Sequence, residues 1–396
     1  MYALTLEMVK NRATRADREC LLPFAPAMVK KVRSFHHSMW GYYHPTPLKE
    51  LKNLAEYLGV KKIFVKDESE RFGLKAFKAL GASYAIASYI SKTYGTDLSF
   101  DAVAAEALGG QAAGLTFATT TDGNHGRAVA WICRLLGFPA VIYMPKGSLP
   151  ERVEAIRKEG ALVKVSESNY DVTVRQLARD AAVNGWVVVQ DTAWSGYTEI
   201  PLTIMQGYST MIGEALEEMP EVPTHVFAQS GVGSMAAAVQ GVLAASGSSA
   251  IFTVLEAAAA NCVFRSMESG SPSKVTGDLD TIMAGLACGE VNPLAWTILH
   301  NYSDYCLSCR DEVAALGMRL WGNPLGDDPR IIAGESGAIG GGMLGFLDKY
   351  HNLKTDLGLN KESVLLLFNT EGDTAPTSYK DIVWGGKYPA AFRLEK

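Results

Sequence analysis

One lysine and two aspartates carry the reactive groups that this sequence sets at turns and strand ends. Lys78 closes the stretch IFVKDESERFGLKAFK (residues 63–78), Asp122 sits inside TTTDGNHG, and Asp191 ends WVVVQD. Ile63-Phe64-Val65 reads as an apolar strand. The chain turns polar through Lys66-Asp67-Glu68-Ser69, bends at Gly73, and enters AFKALGASYAIASYI, whose apolar residues recur at helical spacing. Lys78 is thus predicted just inside a helix that leaves the carboxyl end of a strand, where open α/β sheets bind their ligands. A lysine held near the interior can lose its proton and attack a carbonyl. The plain alternative is a surface lysine on an amphipathic helix.

The segment TTTDGNHG offers threonine hydroxyls, a glycine turn and a helix amino end, a combination that suits a carboxylate. Thr121, Gly123, Asn124 and His125 are its candidate binding residues. Asp122 would repel an anion there, so it reads as a proton acceptor, or else as an Asx-turn or helix cap. Asp191, at a strand's carboxyl end, reads as a second base or as a loop cap. Tyr170 in SNYD reads more as a packing residue. In QSGVGSMAAA, Gly231, Gly233 and Ala236 fit the G-x-G-x-x-G/A fingerprint, with Glu256 25 residues after Gly231. That spacing admits a nicotinamide-dependent dehydrogenase. Its physical content is broader: small residues let backbone N–H groups converge on one phosphate, on a pyrophosphate, or on nothing at all. Thr370 in NTEGD ends a buried strand, where its hydroxyl meets either a ligand's ring nitrogen or its own turn.

Regular elements must hold these groups. After the Lys78 helix, β-rich runs and apolar helices alternate through PAVIYMPKG, PERVEAIRKEGA, LVKVS, YDVTVRQLARDAAVNG and WVVVQD. A second series starts near residue 202 with THVFAQ, a glycine turn, a helix and AIFTVLE, and VLLLFN closes it. This alternation predicts an α/β fold with parallel sheets wound by helices on both faces. Residues 1–40 read as a weakly patterned extension, Leu48, Leu51, Leu54 and Leu58 as one helical stripe, and residues 257–330 as irregular. At 396 residues two lobes are expected. A net charge of −5 with interspersed signs argues against nucleic acid, and no apolar run approaches a membrane span. The start lacks a signal peptide's apolar region, so a cytoplasmic location is expected. Six cysteines do not make a disulfide framework; Cys306 and Cys309 form a lone CxxC, and no metal site is expected.

Lys78 after a strand, GNHG, GVGS and a late strand-end hydroxyl, in that order, resemble the fold-type II (tryptophan synthase β-like) pyridoxal-phosphate enzymes. KDESERFGLKAFKALGASYAIA, FATTTDGNHGRAVAW, VIYMPKGS, QDTAWSGYTEIP, TIMAGLACGE, GNPLGDDPRIIAGESGA and NTEGDT are similar to segments of the diaminopropionate ammonia-lyase family, over about residues 40 to 376. Asp122 and Asp191 are the sharpest points of that resemblance. It implies pyridoxal 5'-phosphate as cofactor and two doubly wound lobes with the active site between them. A large coenzyme-binding domain would take 1–95 and 202–396, and a small domain 96–201. Lys78 would be the Schiff-base lysine. Gly231, Val232, Gly233, Ser234 and Met235 would hold the phosphate, Asn124 would bond the ring hydroxyl, and Thr370 would face the ring nitrogen. Asp122 and Asp191 would be the bases for D- and L-substrates, with Thr121, Gly123, Asn124, His125 and Tyr170 around the substrate. The implied reaction is α,β-elimination of 2,3-diaminopropionate to pyruvate and two ammonia. A serine/threonine dehydratase of the same fold, a dehydrogenase and a non-catalytic coenzyme-binding protein are the alternatives. The resemblance also implies a homodimer with a small amino-acid substrate, and positions at Cys262 and Cys288 that can pair, although a cytosolic setting disfavours a permanent bridge.

Overall fold

The computed structural model describes residues 6–13, 17–121, 123–168, 170–347 and 351–390. In chain order its strands are β1 (Leu6–Lys10), β2 (Leu48–Glu50), β3 (Lys62–Asp67), β4 (Phe117–Thr120), β5 (Ala140–Met144), β6 (Leu162–Val165), β7 (Val187–Val188), β8 (His225–Gln229), β9 (Ile251–Ala257), β10 (Tyr305–Cys309) and β11 (Val364–Asn369). The chain divides into two compact units. The first holds Met1–Ala25, Thr46–Glu70 and Met211–Lys396, and the second Pro26–Pro45 and Arg71–Thr210.

The first unit is built on a seven-stranded sheet in the order β1-β10-β9-β8-β11-β3-β2. Neighbours from β10 to β3 run parallel, whereas β1 and β2 pair antiparallel at the two edges. The central strands HVFAQ and VLLLFN are buried at every position, as a sheet covered on both faces requires. The second unit carries a four-stranded parallel sheet, β6-β5-β4-β7. Its inner strands β4 and β5 are wholly buried, and β6 exposes Leu162 and Val165 at the edge. The expected α/β architecture with mostly parallel sheets is therefore present. Among the described residues no helix is long and apolar enough to cross a membrane.

Four local readings differ from the structure. Residues 1–40 are more than an extension: β1 completes the sheet edge, and the helix Pro26–His37 buries Val29, Val32, Phe35 and His36. The leucine stripe breaks at its start, because Leu48 lies in β2 and the helix begins at Lys52. The stretch 257–330 contains the helices Cys262–Ser269, Pro293–Tyr302 and Asp311–Gly322 as well as β10. Pro293 starts its helix at the position where a missing N–H costs nothing, and Asn292 caps it by accepting from the Leu294 N–H at 3.1 Å. Finally, the helix Lys78–Tyr94 groups with the second unit, so the division falls at Glu70/Arg71 instead of at residue 95. Within that unit it packs closely on residues 199–210, the first part of the helix Glu199–Glu218: a Cβ on Gly81 would strike Tyr208 and Ile204, and one on Gly207 would strike the Leu80 carbonyl oxygen.

Candidate active site

In the second unit, the loop into Lys78 is backed by two left-handed residues that are not glycine, Phe72 (φ 52°) and Lys75 (φ 60°). Each such residue costs about 1–2 kcal/mol, a strain that is retained where surroundings over-determine it, commonly at functional sites. Lys78 is the first residue of its helix, and its Nζ lies 2.6 Å from Asp191 Oδ2. The two side chains are 19% and 11% exposed. Burial alone would raise the Asp191 carboxyl. The Lys78 ammonium and the nearby His125 ring overcome it and bring the carboxyl down to about 2.

His125 is buried, with its Nε2 2.7 Å from the Val189 carbonyl oxygen, an acceptor that puts the proton on Nε2. Burial lowers its pKa, Asp191 opposes the shift and Lys78 adds to it. Thr121 builds the turn: its Oγ1 accepts the Gly123 N–H at 2.9 Å and the Gly126 N–H at 3.1 Å. Asn124 opens the helix Asn124–Leu136 behind it. Asp122 lies outside the described residues. Tyr170 is tied to the Asp191 loop, since its hydroxyl oxygen accepts from Gln190 Nε2 at 2.8 Å.

Sequence reading passed over Gln190, Tyr197 and Tyr208. Gln190 Oε1 accepts from Thr119 and from the Thr120 N–H, both at 3.0 Å, and Gln190 Nε2 donates to the Thr120 carbonyl. Tyr197 accepts from the Gln190 N–H at 2.8 Å and donates to the Val188 carbonyl at 2.9 Å. Together they hold the backbone at Val188 and Gln190, directly before Asp191. Tyr208 packs its ring on Phe77, 4.7 Å between centroids, and burial raises its phenol while the Lys78 ammonium draws it the other way. One polar residue inside VVVQD was the available signal for Gln190; the two tyrosines gave none.

In the first unit, β8 runs into the turn Gly231-Val232-Gly233-Ser234-Met235 and the helix Ser234–Ala245. Gly233 needs its glycine, with φ +96° and Ala295 Cβ 3.0 Å from where a Cβ would stand. A Cβ on Gly231 would come 3.0 Å from the Gly285 carbonyl oxygen. The first helical bond joins the Ala237 N–H to the Gly233 carbonyl at 2.8 Å, so the preceding N–H groups have no partner within the helix. Asn292 braces the turn, its N–H donating to the Val232 carbonyl at 2.8 Å and its Nδ2 to Ser234 Oγ at 2.9 Å. Thr370 follows β11, is 3% exposed, and accepts from Gln229 Nε2 at 3.0 Å.

Glu256, the carboxylate that a dinucleotide's ribose would need, is buried and spent elsewhere. Its oxygens accept the Val263 and Phe264 N–H groups at 2.9 and 2.6 Å, capping the helix Cys262–Ser269. The dehydrogenase reading loses its second motif there. None of the six cysteines forms a disulfide; Cys306 and Cys309 are buried on β10, and the Cys262 thiol faces the Gly231 carbonyl oxygen at 3.6 Å.

The family described as pyridoxal-phosphate dependent enzyme matches residues 39–359. The chain belongs to that family. It is 50% identical over 403 residues to the diaminopropionate ammonia-lyase of Escherichia coli (strain K12), covering 99% of each chain. The Salmonella typhimurium enzyme of the same name is 45% identical over 372 residues, 90% of this chain and 92% of that one. A crystal structure of the Escherichia coli diaminopropionate ammonia-lyase, in complex with an aminoacrylate–PLP azomethine reaction intermediate, superposes with a TM-score of 0.90 at 47% identity, over 98% of both chains.

The chemistry of the residues fits the coenzyme of this pyridoxal-phosphate enzyme. The glycine turn of the first unit, which has no room for a Cβ at Gly231 or Gly233, brings backbone N–H groups and a helix amino end together for a dianionic phosphate. Thr370 adds an uncharged hydroxyl for the ring. The second unit supplies the amine of Lys78 for the aldehyde and an ionised carboxylate beside it.

Proposed function

We infer that the chain catalyses α,β-elimination of 2,3-diaminopropionate, in both D and L forms, to pyruvate and two ammonia. The observation that supports this reading best is the Lys78–Asp191 pair, an amine for the coenzyme aldehyde with an ionised base 2.6 Å away. When bound, pyridoxal phosphate draws electrons from the Cα of an amino acid held at its aldehyde carbon and so acidifies the Cα proton.

The remaining work falls to side chains. The turn 231–235 would hold the phosphate, Asn124 would bond the ring hydroxyl, and Thr370 would meet the ring nitrogen. Thr121, Gly123, Asn124 and His125 bind the substrate carboxylate through hydroxyl, backbone and helix-end donors, with Tyr170 beside them. Asp191 takes the Cα proton of the L-substrate and Asp122 that of the D-substrate, so neither isomer needs to be inverted first. Loss of that proton and of the β-amino group leaves an enamine acid; water then converts it to pyruvate and the second ammonia. The proposal includes a homodimer, the commonest closed assembly, in the cytoplasm.

The test compares Asp122→Asn with Asp191→Asn on each enantiomer, pyruvate being measured. Asp122→Asn is expected to abolish turnover of the D-isomer and keep much of the L-activity, and Asp191→Asn to do the reverse. Equal loss of both activities in both variants refutes the two-base assignment. Faster ammonia release from serine than from diaminopropionate would favour a dehydratase instead.

A further inference from the structure

Gln229, the last residue of β8, is 2% exposed and lies one hydrogen bond from Thr370. Its Nε2 sits 3.0 Å from the Phe368 carbonyl oxygen, 3.2 Å from that of Ser336 and 3.0 Å from Thr370 Oγ1. Carbonyl oxygens only accept, so the atom between them has to be the amide nitrogen; the flipped amide would set oxygen against oxygen. An amide nitrogen donates and does not accept. Thr370 can take a hydrogen from Gln229, but it cannot spend its own hydrogen there.

The strand end fixes the rest of the geometry. Asn369, which closes β11, donates through Nδ2 to Asp67 Oδ1 at 2.8 Å and to the Ile332 carbonyl at 3.1 Å. Thr370 follows directly on that anchored residue. Its hydroxyl oxygen is engaged by Gln229, and its hydrogen is directed away from Gln229.

We propose that Gln229 is a positioning residue that sets the polarity of the Thr370 hydroxyl, so that Thr370 presents a hydrogen to the coenzyme's ring nitrogen and that nitrogen stays unprotonated. This rests on the reading above that Thr370 faces the ring nitrogen. A reversed hydroxyl would offer a lone pair, which suits a protonated ring. A protonated ring would stabilise negative charge at Cα for longer and open the way to racemisation and transamination. An unprotonated ring favours immediate departure of the β-amino group. Gln229 would thereby bias the outcome of the reaction without touching the substrate.

The experiment uses holoenzyme carrying coenzyme labelled with ¹⁵N at the ring nitrogen. The parent is expected to show the resonance of a neutral pyridine. In Gln229→Glu, a protonated carboxyl can still donate to a carbonyl while its other oxygen accepts from Thr370, so the resonance should move to the pyridinium position. In Gln229→Met the donor is lost, and the coenzyme dissociation constant should rise about fivefold, the equivalent of one ordinary hydrogen bond at about 1 kcal/mol. Thr370→Val separates the two readings. If it leaves the ring-nitrogen signal unmoved, Thr370 does not face that atom. If it moves the signal while both Gln229 variants, folded by their melting curves, keep the parent's resonance and affinity, the role of Gln229 is overturned and that of Thr370 stands. Should the Glu variant fail to fold, the Met variant decides by its dissociation constant.

Discussion

Replacing Asp191 by Asn removes one partner of the 2.6 Å pair with Lys78 and leaves the other in place. The expected loss follows from the carboxyl's shift. Its ordinary value is 3.8; burial raises it, and the ammonium of Lys78 with His125 outweighs burial and sets it at about 2. Nearly two pKa units at about 1.4 kcal/mol each give about 2 kcal/mol of stability, and both side chains are dry enough for that figure to stand. The sign is that of a depressed carboxyl: the stabilisation is complete above 3.8 and is lost as pH falls through about 2. Lys78 without its counter-ion adds a desolvation cost that can carry the total toward about 3–5 kcal/mol. Urea unfolding of the coenzyme-free protein is the assay. At pH 7 the Asn variant should lose about 2 kcal/mol or more, and the gap to the parent should close as pH is lowered from 4 toward 2. In a Lys78→Met background the same change should cost less, because the ion pair with Lys78 is already gone. Equal urea midpoints at pH 7, or a gap that persists unchanged at low pH, would refute the ion-pair account.

Two further perturbations probe the scaffold. Gly207→Ala should destabilise by about 1–3 kcal/mol, against the usual gain for Ala over Gly in a helix, since its methyl would meet the Leu80 carbonyl oxygen and Gly81 Cα; a raised melting temperature would contradict the close approach of those helices. Lys66 is fully buried, bonded to the Thr46 carbonyl and 2.8 Å from Glu214 Oε2 and 3.0 Å from Glu218 Oε1. Lys66→Met should cost about 3–5 kcal/mol in urea unfolding by taking the cation from beside the buried Glu214 carboxylate, and adding Glu214→Gln should recover much of that loss.

The elements that the sequence announced are those whose cause is local. Gly233 is a glycine because its own φ is +96°, and the small residues around it mark a phosphate turn before any partner is known. VLLLFN is a buried strand from its composition alone, and the strand-to-helix passage into Lys78 follows from a change of apolar period. Even there the local reading ended the apolar strand at Val65, yet the polar Lys66 and Asp67 are the buried end of β3, held by Glu214 and Glu218 and by Asn369. Pairings that join distant positions were decided by tertiary structure. Asp191 meets Lys78 across 113 residues, Thr370 meets Gln229 across 141, and β1 pairs with β10 although most of the chain lies between them. Residue type and spacing state which groups are able to ionise, donate or turn. Which of them share a dry contact depends on how the sheets are ordered, and that order emerges only when the whole chain has packed.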